Sequence, residues 1–137
     1  MHAPLKAVND FHSQSKSMAA ITPPPIIIQM RNAPSRLAEG DEMGFTMWLG
    51  PIPLNWLARI EAVSDAGFTD RQVQGPFAEW EHRHRFVAVD GQTTEVRDEI
   101  TLHVRSQPAW WLVGMGIRAG LPFLFAYRAW KTRKCLR

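Results

Sequence analysis

The strongest chemical signal in this chain of 137 residues is His82-Arg83-His84, two imidazoles one residue apart in a stretch that alternates charged with aromatic residues. Read as a strand, Trp80, His82, His84 and Phe86 share one face, and Glu79, Glu81, Arg83 and Arg85 share the other. The aromatic side is the inner one. On the following segment Val96, Ile100, Leu102 and Val104 mark an inner face, and Asp98 falls among them, where a carboxylate requires a partner. Asp90-Gly91 between the two runs is a hairpin signal. If Val89-Asp90-Gly91 forms a three-residue loop, Asp98 lies opposite His82; a loop shifted by one residue places it opposite His84. Either register brings carboxylate and imidazole within hydrogen-bonding reach. Asp70 and Gln72 share the face of Phe68 and can join the same cluster.

Three kinds of chemistry compete for these residues. The plain one is a satisfied polar network in a core or cavity wall. The second is a ligand-orienting or acid/base site with His82, His84 and Asp98 as the candidate catalytic residues, in which Asp98 fixes a tautomer and raises the basicity of a histidine. The third, a metal held by His82, His84 and Asp98, is the weakest, because two alternate histidines are a common pattern and the one cysteine, Cys135, is remote. The residues call for no metal and no cofactor. No Gly-rich phosphate loop, serine nucleophile elbow or Cys/His pair is present in the sequence.

The elements that must position this face follow from the pattern along the chain. Pro4 to His12 and Ser13 to Ile21 read as two short helices, the second with a serine N-cap. Pro23 to Pro25 force extended chain, and Ile26 to Arg31 suits a buried strand. From Glu42 the period is two, with Met43, Phe45 and Met47 on one face. After the Gly50-Pro51-Ile52-Pro53 turn, Leu54, Trp56, Ala58, Ile60 and Ala62 alternate with polar residues. Phe68 to Gln74, Glu79 to Val89 and Thr93 to Arg105 complete about six strands. Pro108 opens a helical region to about Leu136, which Gly120 and Pro122 should bend or break. Helices, a mostly antiparallel sheet and one long terminal helix make an α+β fold in which a single helix covers the apolar face of a curved sheet. Such an arrangement leaves space lined by Met43, Phe45, Met47, Trp56 and Ile60, the form of many small apolar ligand sites; a filled core is the alternative.

Composition, at 45% hydrophobic and 21% charged residues, fits one globular domain over residues 1–137. A lone cysteine excludes an intrachain disulfide and favours a reducing compartment. His2 to Phe11 is polar and broken by Pro4, unlike a secretory leader, so a cytoplasmic location is expected. All 13 acidic residues lie at or before Glu99, against nine Lys and Arg there, a net of −4; seven Lys and Arg follow, a net of +7. A basic tail on an acidic body argues against a nucleic-acid partner. The tail suits the negative end of a helix dipole, with peripheral contact to an anionic membrane as the alternative. A lipid-spanning helix over Ala109 to Trp130 is disfavoured, because Arg118 near its centre would cost a few kcal/mol to insert. The adjacent Trp110 and Trp111 read as half core and half surface rather than as a membrane anchor.

The segment Gly75-Pro76-Phe77-Ala78-Glu79-Trp80-Glu81-His82-Arg83-His84-Arg85-Phe86 resembles the START-like helix-grip superfamily, which contains birch-pollen-allergen-like proteins, polyketide cyclases and coenzyme Q-binding proteins. Its small bacterial stand-alone members are the nearest likeness. Phe11-His12, Thr22-Pro23-Pro24-Pro25, Trp48-Leu49-Gly50-Pro51-Ile52-Pro53, Phe68-Thr69-Asp70-Arg71-Gln72, Thr94-Glu95-Val96-Arg97-Asp98-Glu99-Ile100 and Phe125-Ala126-Tyr127-Arg128 support it in order. The resemblance implies a curved antiparallel sheet gripping the C-terminal helix around a small hydrophobic ligand, such as a lipid, a quinone or a polyketide-like molecule. The expected ligand-binding residues are Met43, Phe45, Met47, Trp56, Ile60, Asp70, Gln72, Trp80, His82, His84, Phe86, Val96, Asp98 and Ile100. An enzyme of the cyclase or dehydratase type, with a histidine as general base, is the rival, and a membrane-surface or protein-interaction module is a third reading. The superfamily places a strand before the two helices, between the second and last strands, whereas Met1-His2-Ala3 runs straight into Pro4. Two free sheet edges are therefore expected, with self-association through them.

Overall fold

The computed structural model describes residues 1–136. Two short helices, α1 (Leu5–Ser13) and α2 (Lys16–Ala20), precede six strands, β1 (Ile26–Asn32), β2 (Glu42–Leu49), β3 (Ile52–Ser64), β4 (Gly67–Gln74), β5 (Phe77–Asp90) and β6 (Thr93–Val104), and one long helix, α3 (Pro108–Cys135), ends the chain. Each strand pairs antiparallel with the next, in the sheet order β1-β2-β3-β4-β5-β6. This is the α+β helix-grip fold, a curved antiparallel sheet with one long C-terminal helix.

The period-two pattern produces the core directly. Leu54, Trp56, Ala58 and Ile60 of β3 are buried, as are Met43 and Phe45 of β2, and Phe68, Phe77 and Trp80 complete the main cluster with Leu37. Trp56 stacks on Phe45 at 5.7 Å between ring centroids and meets Trp80 edge-on at 5.2 Å. The alternation fails at Ala62, whose φ of +53° turns the chain and leaves the side chain exposed. A second, smaller cluster joins Ala3, Val8 and Phe86.

Helix α3 contacts the sheet near its start, along its inner face, where Ile117 and Leu121 pack on the main core and Phe125 meets His82 at 5.4 Å, and just past its end. Near its start Gly114 is so close to β6 that an added Cβ would lie 2.8 Å from Val104 Cγ1. Beyond its end Leu136 packs against the Ala3, Val8 and Phe86 cluster. Between these points the helix bridges the concave side of the sheet, which leaves room beneath it. The expected break at Gly120 and Pro122 is absent, and the helix is continuous from Pro108 to Cys135. Pro122 removes the hydrogen bond to the carbonyl of Arg118, but both residues lie on the exposed side, where water can satisfy that oxygen.

The second helix starts later than the Ser13 cap implies. Ser13 is buried at the end of α1, its carbonyl accepts from Leu37 N at 2.7 Å, and Ser15 N donates to Ser35 O, so Gln14 between the helices is extended and bridges to Arg36. The outer edges of the sheet are β1 and β6. The β6 edge is occupied at one point: Met1 and Thr94 exchange two backbone hydrogen bonds of 2.9 Å, and the buried Thr94 hydroxyl donates to Ala3 O at 2.8 Å.

Candidate ligand-binding site

Strand β5 delivers Trp80, His82 and His84 to the concave side, as alternation requires, and its neighbours supply the carboxylates. Across the β4–β5 ladder Asp70 lies opposite His82, and across β5–β6 Asp98 lies opposite His84. This is the shifted hairpin register, set by an irregularity between Ala88 and Asp90. The hydrogen bonds nevertheless run diagonally. His82 Nε2–H donates to Asp98 Oδ1 at 2.8 Å, and His84 Nε2–H donates to Asp70 Oδ2 at 2.6 Å. The directly opposite carboxylates are more distant, at 3.6 Å for His82 Nδ1 to Asp70 and 3.7 Å for His84 Nδ1 to Asp98. Each imidazole is thus flanked by both aspartates. The two rings stack 3.7 Å apart at 29°, capped by Phe68 on His84 and by the edge of Phe125 on His82.

Exposure grades this cluster outward: the side chain of His82 is 4% exposed, His84 13%, Asp70 17% and Asp98 29%. Burial drives the His82 pKa below its ordinary value and the neighbouring His84 adds to the effect, against the opposing pull of Asp98 and Asp70. His82 is therefore neutral near pH 7: Asp98 pulls its pKa upward, as expected, but burial and His84 outweigh that pull. For both aspartates burial works to raise the carboxyl pKa, but the hydrogen bonds from the histidines and the positive charge of Arg128 outweigh it, so both stay below the usual range.

Two spaces meet at this cluster. Inward, an apolar cavity of about 100 Å³ is lined by Met18, Leu37, Met43, Phe45, Met47, Trp56, Phe68 and Trp80 below, and by Ile117, Leu121, Leu124 and Phe125 of α3 above. Asp70, His82, His84, His12 and Arg128 also line this cavity. Outward, a polar pocket of about 220 Å³ is bounded by Met1, Glu95, Val96, Asp98, Thr132 and Arg133, and it shares His12, Ile21, His84, Phe125 and Arg128 with the cavity. The polar groups thus lie at the neck between an apolar cavity and a more polar pocket.

Of the residues expected to bind ligand, Met43, Phe45, Met47, Trp56, Asp70, Trp80, His82 and His84 line the cavity, and Val96 and Asp98 line the outer pocket. Four line neither. Ile60 is fully enclosed in the core, and Ile100 packs against that core. Gln72 is turned to the β4–β5 connection, where it donates to Phe77 O at 2.8 Å and accepts from Phe77 N at 3.1 Å. Phe86 lies beyond the neck in the smaller cluster and carries the ring of His12 at 4.8 Å. The residues the sequence reading passed over include His12, Met18, Leu37, Phe68, the α3 set Ile117, Leu121, Leu124 and Phe125, and Arg128. Their signal was available: positions 117, 121, 124, 125, 128 and 132 recur at helical spacing and mark one face of α3.

Asp70, His82 and His84 offer ligand atoms within 4.8 Å of one another, a possible metal triad. Their geometry is unsuited to it as it stands. Imidazole lone pairs lie in the ring plane, and two rings stacked at 3.7 Å and 29° send theirs along nearly parallel planes rather than toward one ion.

The fold and a cavity of this layout place the chain among helix-grip structures. A solution NMR structure of a Staphylococcus epidermidis protein superposes with a TM-score of 0.65 at 14% identity, covering 98% of this chain and 86% of that one. The crystal structure of Ara h 8.0201 gives a TM-score of 0.59 at 13% identity, covering 96% of this chain and 91% of that one. No family model and no curated protein matches the chain. Likeness at these identities speaks for the fold alone.

Proposed function

We propose that the chain binds a small hydrophobic molecule with a polar end, its apolar body in the cavity under α3 and its polar end at His82, His84 and Asp98. The observation that carries this reading is the neck. A core that only needs filling has no use for two imidazoles, two carboxylates and a guanidinium at its mouth, since each must be desolvated and paired. An apolar cavity of roughly 150 Å³ can hold benzene, so about 100 Å³ suits a short chain, and a ring needs the lining to yield slightly. Longer molecules, including lipid or quinone tails, require the flexible Met18, Met43 and Met47 to yield. Mass spectrometry of organic extracts from purified protein, with thermal melting against lipids, quinones and aromatic compounds, tests the reading. A bound compound should raise the melting temperature, and Leu121→Trp, which fills the cavity, should abolish that rise. Empty preparations with no shift from any compound would refute it.

A second reading, a cyclase- or dehydratase-type enzyme, is favoured by one observation. His82 is neutral and donates Nε2–H to Asp98, so its Nδ1 carries the lone pair a general base needs. Turnover separates the two readings: an enzyme forms product and loses that activity in His82→Ala, whereas a binding protein releases its ligand unchanged.

A further inference from the structure

We infer that the polar end of the bound molecule is an acid, a carboxylate held by Arg128; this inference rests on the ligand-binding reading above. Arg128 extends from α3 and borders both the cavity and the outer pocket. Its Nε is buried and has no hydrogen-bond partner. Among the described residues no carboxylate pairs with its guanidinium, although acids are close. Asp98 is engaged by His82 and Asp70 by His84. With both carboxylates taken up by the histidines, the Nε–H of Arg128 is left as a buried donor without an acceptor. A buried donor without an acceptor is costly, and a guanidinium presents its N–H groups in a plane that a carboxylate meets with two parallel bonds. The Phe125 ring, 5.6 Å from the guanidinium carbon, backs Arg128, and Arg133 borders the same pocket. A neutral alcohol could accept one bond but could not meet the guanidinium with two. An ammonium group has only donors and offers the Arg128 Nε–H no acceptor.

The test compares octanoate, octan-1-ol and octylamine by calorimetry, on the wild type and on Arg128→Met, which keeps the apolar stem. The wild type should bind octanoate about ten- to a hundredfold more tightly than octan-1-ol, the range for charge-assisted bonds. Arg128→Met should lose that margin while still binding octan-1-ol. Equal binding of acid and alcohol, preference for the amine, or a margin that survives Arg128→Met would overturn the acid assignment alone. If none of the three bound the wild type, the ligand-binding reading would fall with it.

A separate observation carries a second inference: the outward face of α3 docks on an anionic bilayer surface. Leu112 is 68% exposed, Phe123 67%, Trp130 48% and Trp111 47%. Leu112, Ala119, Phe123, Ala126 and Trp130 recur at intervals of seven, four, three and four residues and form one outward stripe. The helix itself carries charge of one sign, because every charged residue in it, Arg118, Arg128, Lys131, Arg133 and Lys134, is a cation. Lys134 Nζ lies 4.1 Å from the centre of the Trp130 ring. Exposed aromatic side chains on a helix whose charged residues are all cations fit the headgroup region of an anionic leaflet. By length and composition α3 could also cross a membrane, but its other face, Ile117, Leu121, Phe125 and Arg128, is turned to the cavity. The protein should float with phosphatidylcholine vesicles containing a quarter phosphatidylglycerol, not with pure phosphatidylcholine, and added salt should weaken the association. Phe123→Ser with Trp130→Ser should abolish it with the melting temperature retained. Equal binding to neutral vesicles, indifference to the double substitution, or a dimer that the substitution dissolves would overturn the inference.

Discussion

Replacing His12 by phenylalanine should flatten the loss of stability between pH 6.5 and 4. His12 lies at the end of α1 with Nδ1–H donating to Val8 O at 2.9 Å, and its ring lies against Phe11 and Phe86. Burial pushes its pKa down to about 4, the charges of His84 and Arg128 work the same way, and the bond to Val8 and the charge of Asp98 oppose them. In the unfolded chain the value is about 6.5. Above pH 6.5 the group is neutral in both states and contributes no pH dependence. Between pH 6.5 and 4 the unfolded state takes up a proton that the folded state refuses, so stability falls as pH falls, at about 1.4 kcal/mol per pH unit. Over the full window His12 accounts for about 3 kcal/mol. His82, also held below its ordinary value by burial, adds a loss of the same sign that His12→Phe leaves in place. The lowered carboxylates Asp10, Asp70, Glu95 and Asp98 withdraw their stabilisation only as pH falls through about 4 and below. Urea unfolding at pH 7, 6, 5 and 4.5 reads the effect. The two proteins should differ by about 1 kcal/mol at most at pH 7, and by pH 4.5 the wild type should have lost about 2–3 kcal/mol more than the variant. Parallel pH profiles would refute the burial of a neutral imidazole at this point.

Asp98→Asn removes the hydrogen bond and charge that favour imidazolium at His82, so the His82 pKa should fall further, and an unchanged ring-proton titration by NMR would place Asp98 elsewhere. Gly114→Ala puts a Cβ 2.8 Å from Val104 Cγ1 and 3.5 Å from Phe77 Cε1; it should cost about 1–3 kcal/mol by overpacking, with Val104→Ala in the same chain restoring part of the loss. The free β1 edge, with Ile27 largely exposed, should pair with a second copy at high concentration, and Ile27→Lys should shift sedimentation toward the monomer; identical profiles would exclude that edge as the seam.

Alternation fixed the faces of the strands because it depends only on neighbouring residues. Trp80, His82 and His84 on one side of β5, and Met43, Phe45 and Met47 on one side of β2, follow from the pleat and line the cavity together. What the sequence concealed depends on longer-range choices. The diagonal His82–Asp98 and His84–Asp70 bonds require the register of β5 against both neighbours, and a single irregularity near Asp90 selects it. Gln72 carries the same inward period as Asp70, yet the turn at Gly75-Pro76 recruits it to cap Phe77. Arg128 read as one more cation in a basic tail. Only the packing of α3 over the sheet separates it from Arg133 and Lys134, which point outward.

The central claim, that the space under α3 is a binding site ending at a polar neck, is tested most directly by NMR on protein carrying 13C-labelled methionine methyls during titration with octanoate. Saturable shifts of the Met18, Met43 and Met47 methyls, with cross-relaxation from the ligand's terminal methyl to Met43 and Met47 and perturbation of Arg128 Nε–H at the same midpoint, are the predicted result. Methyl signals in the cavity that stay unmoved at saturating ligand, or shifts confined to Met115 on the far side of the Gly114 contact, would contradict it.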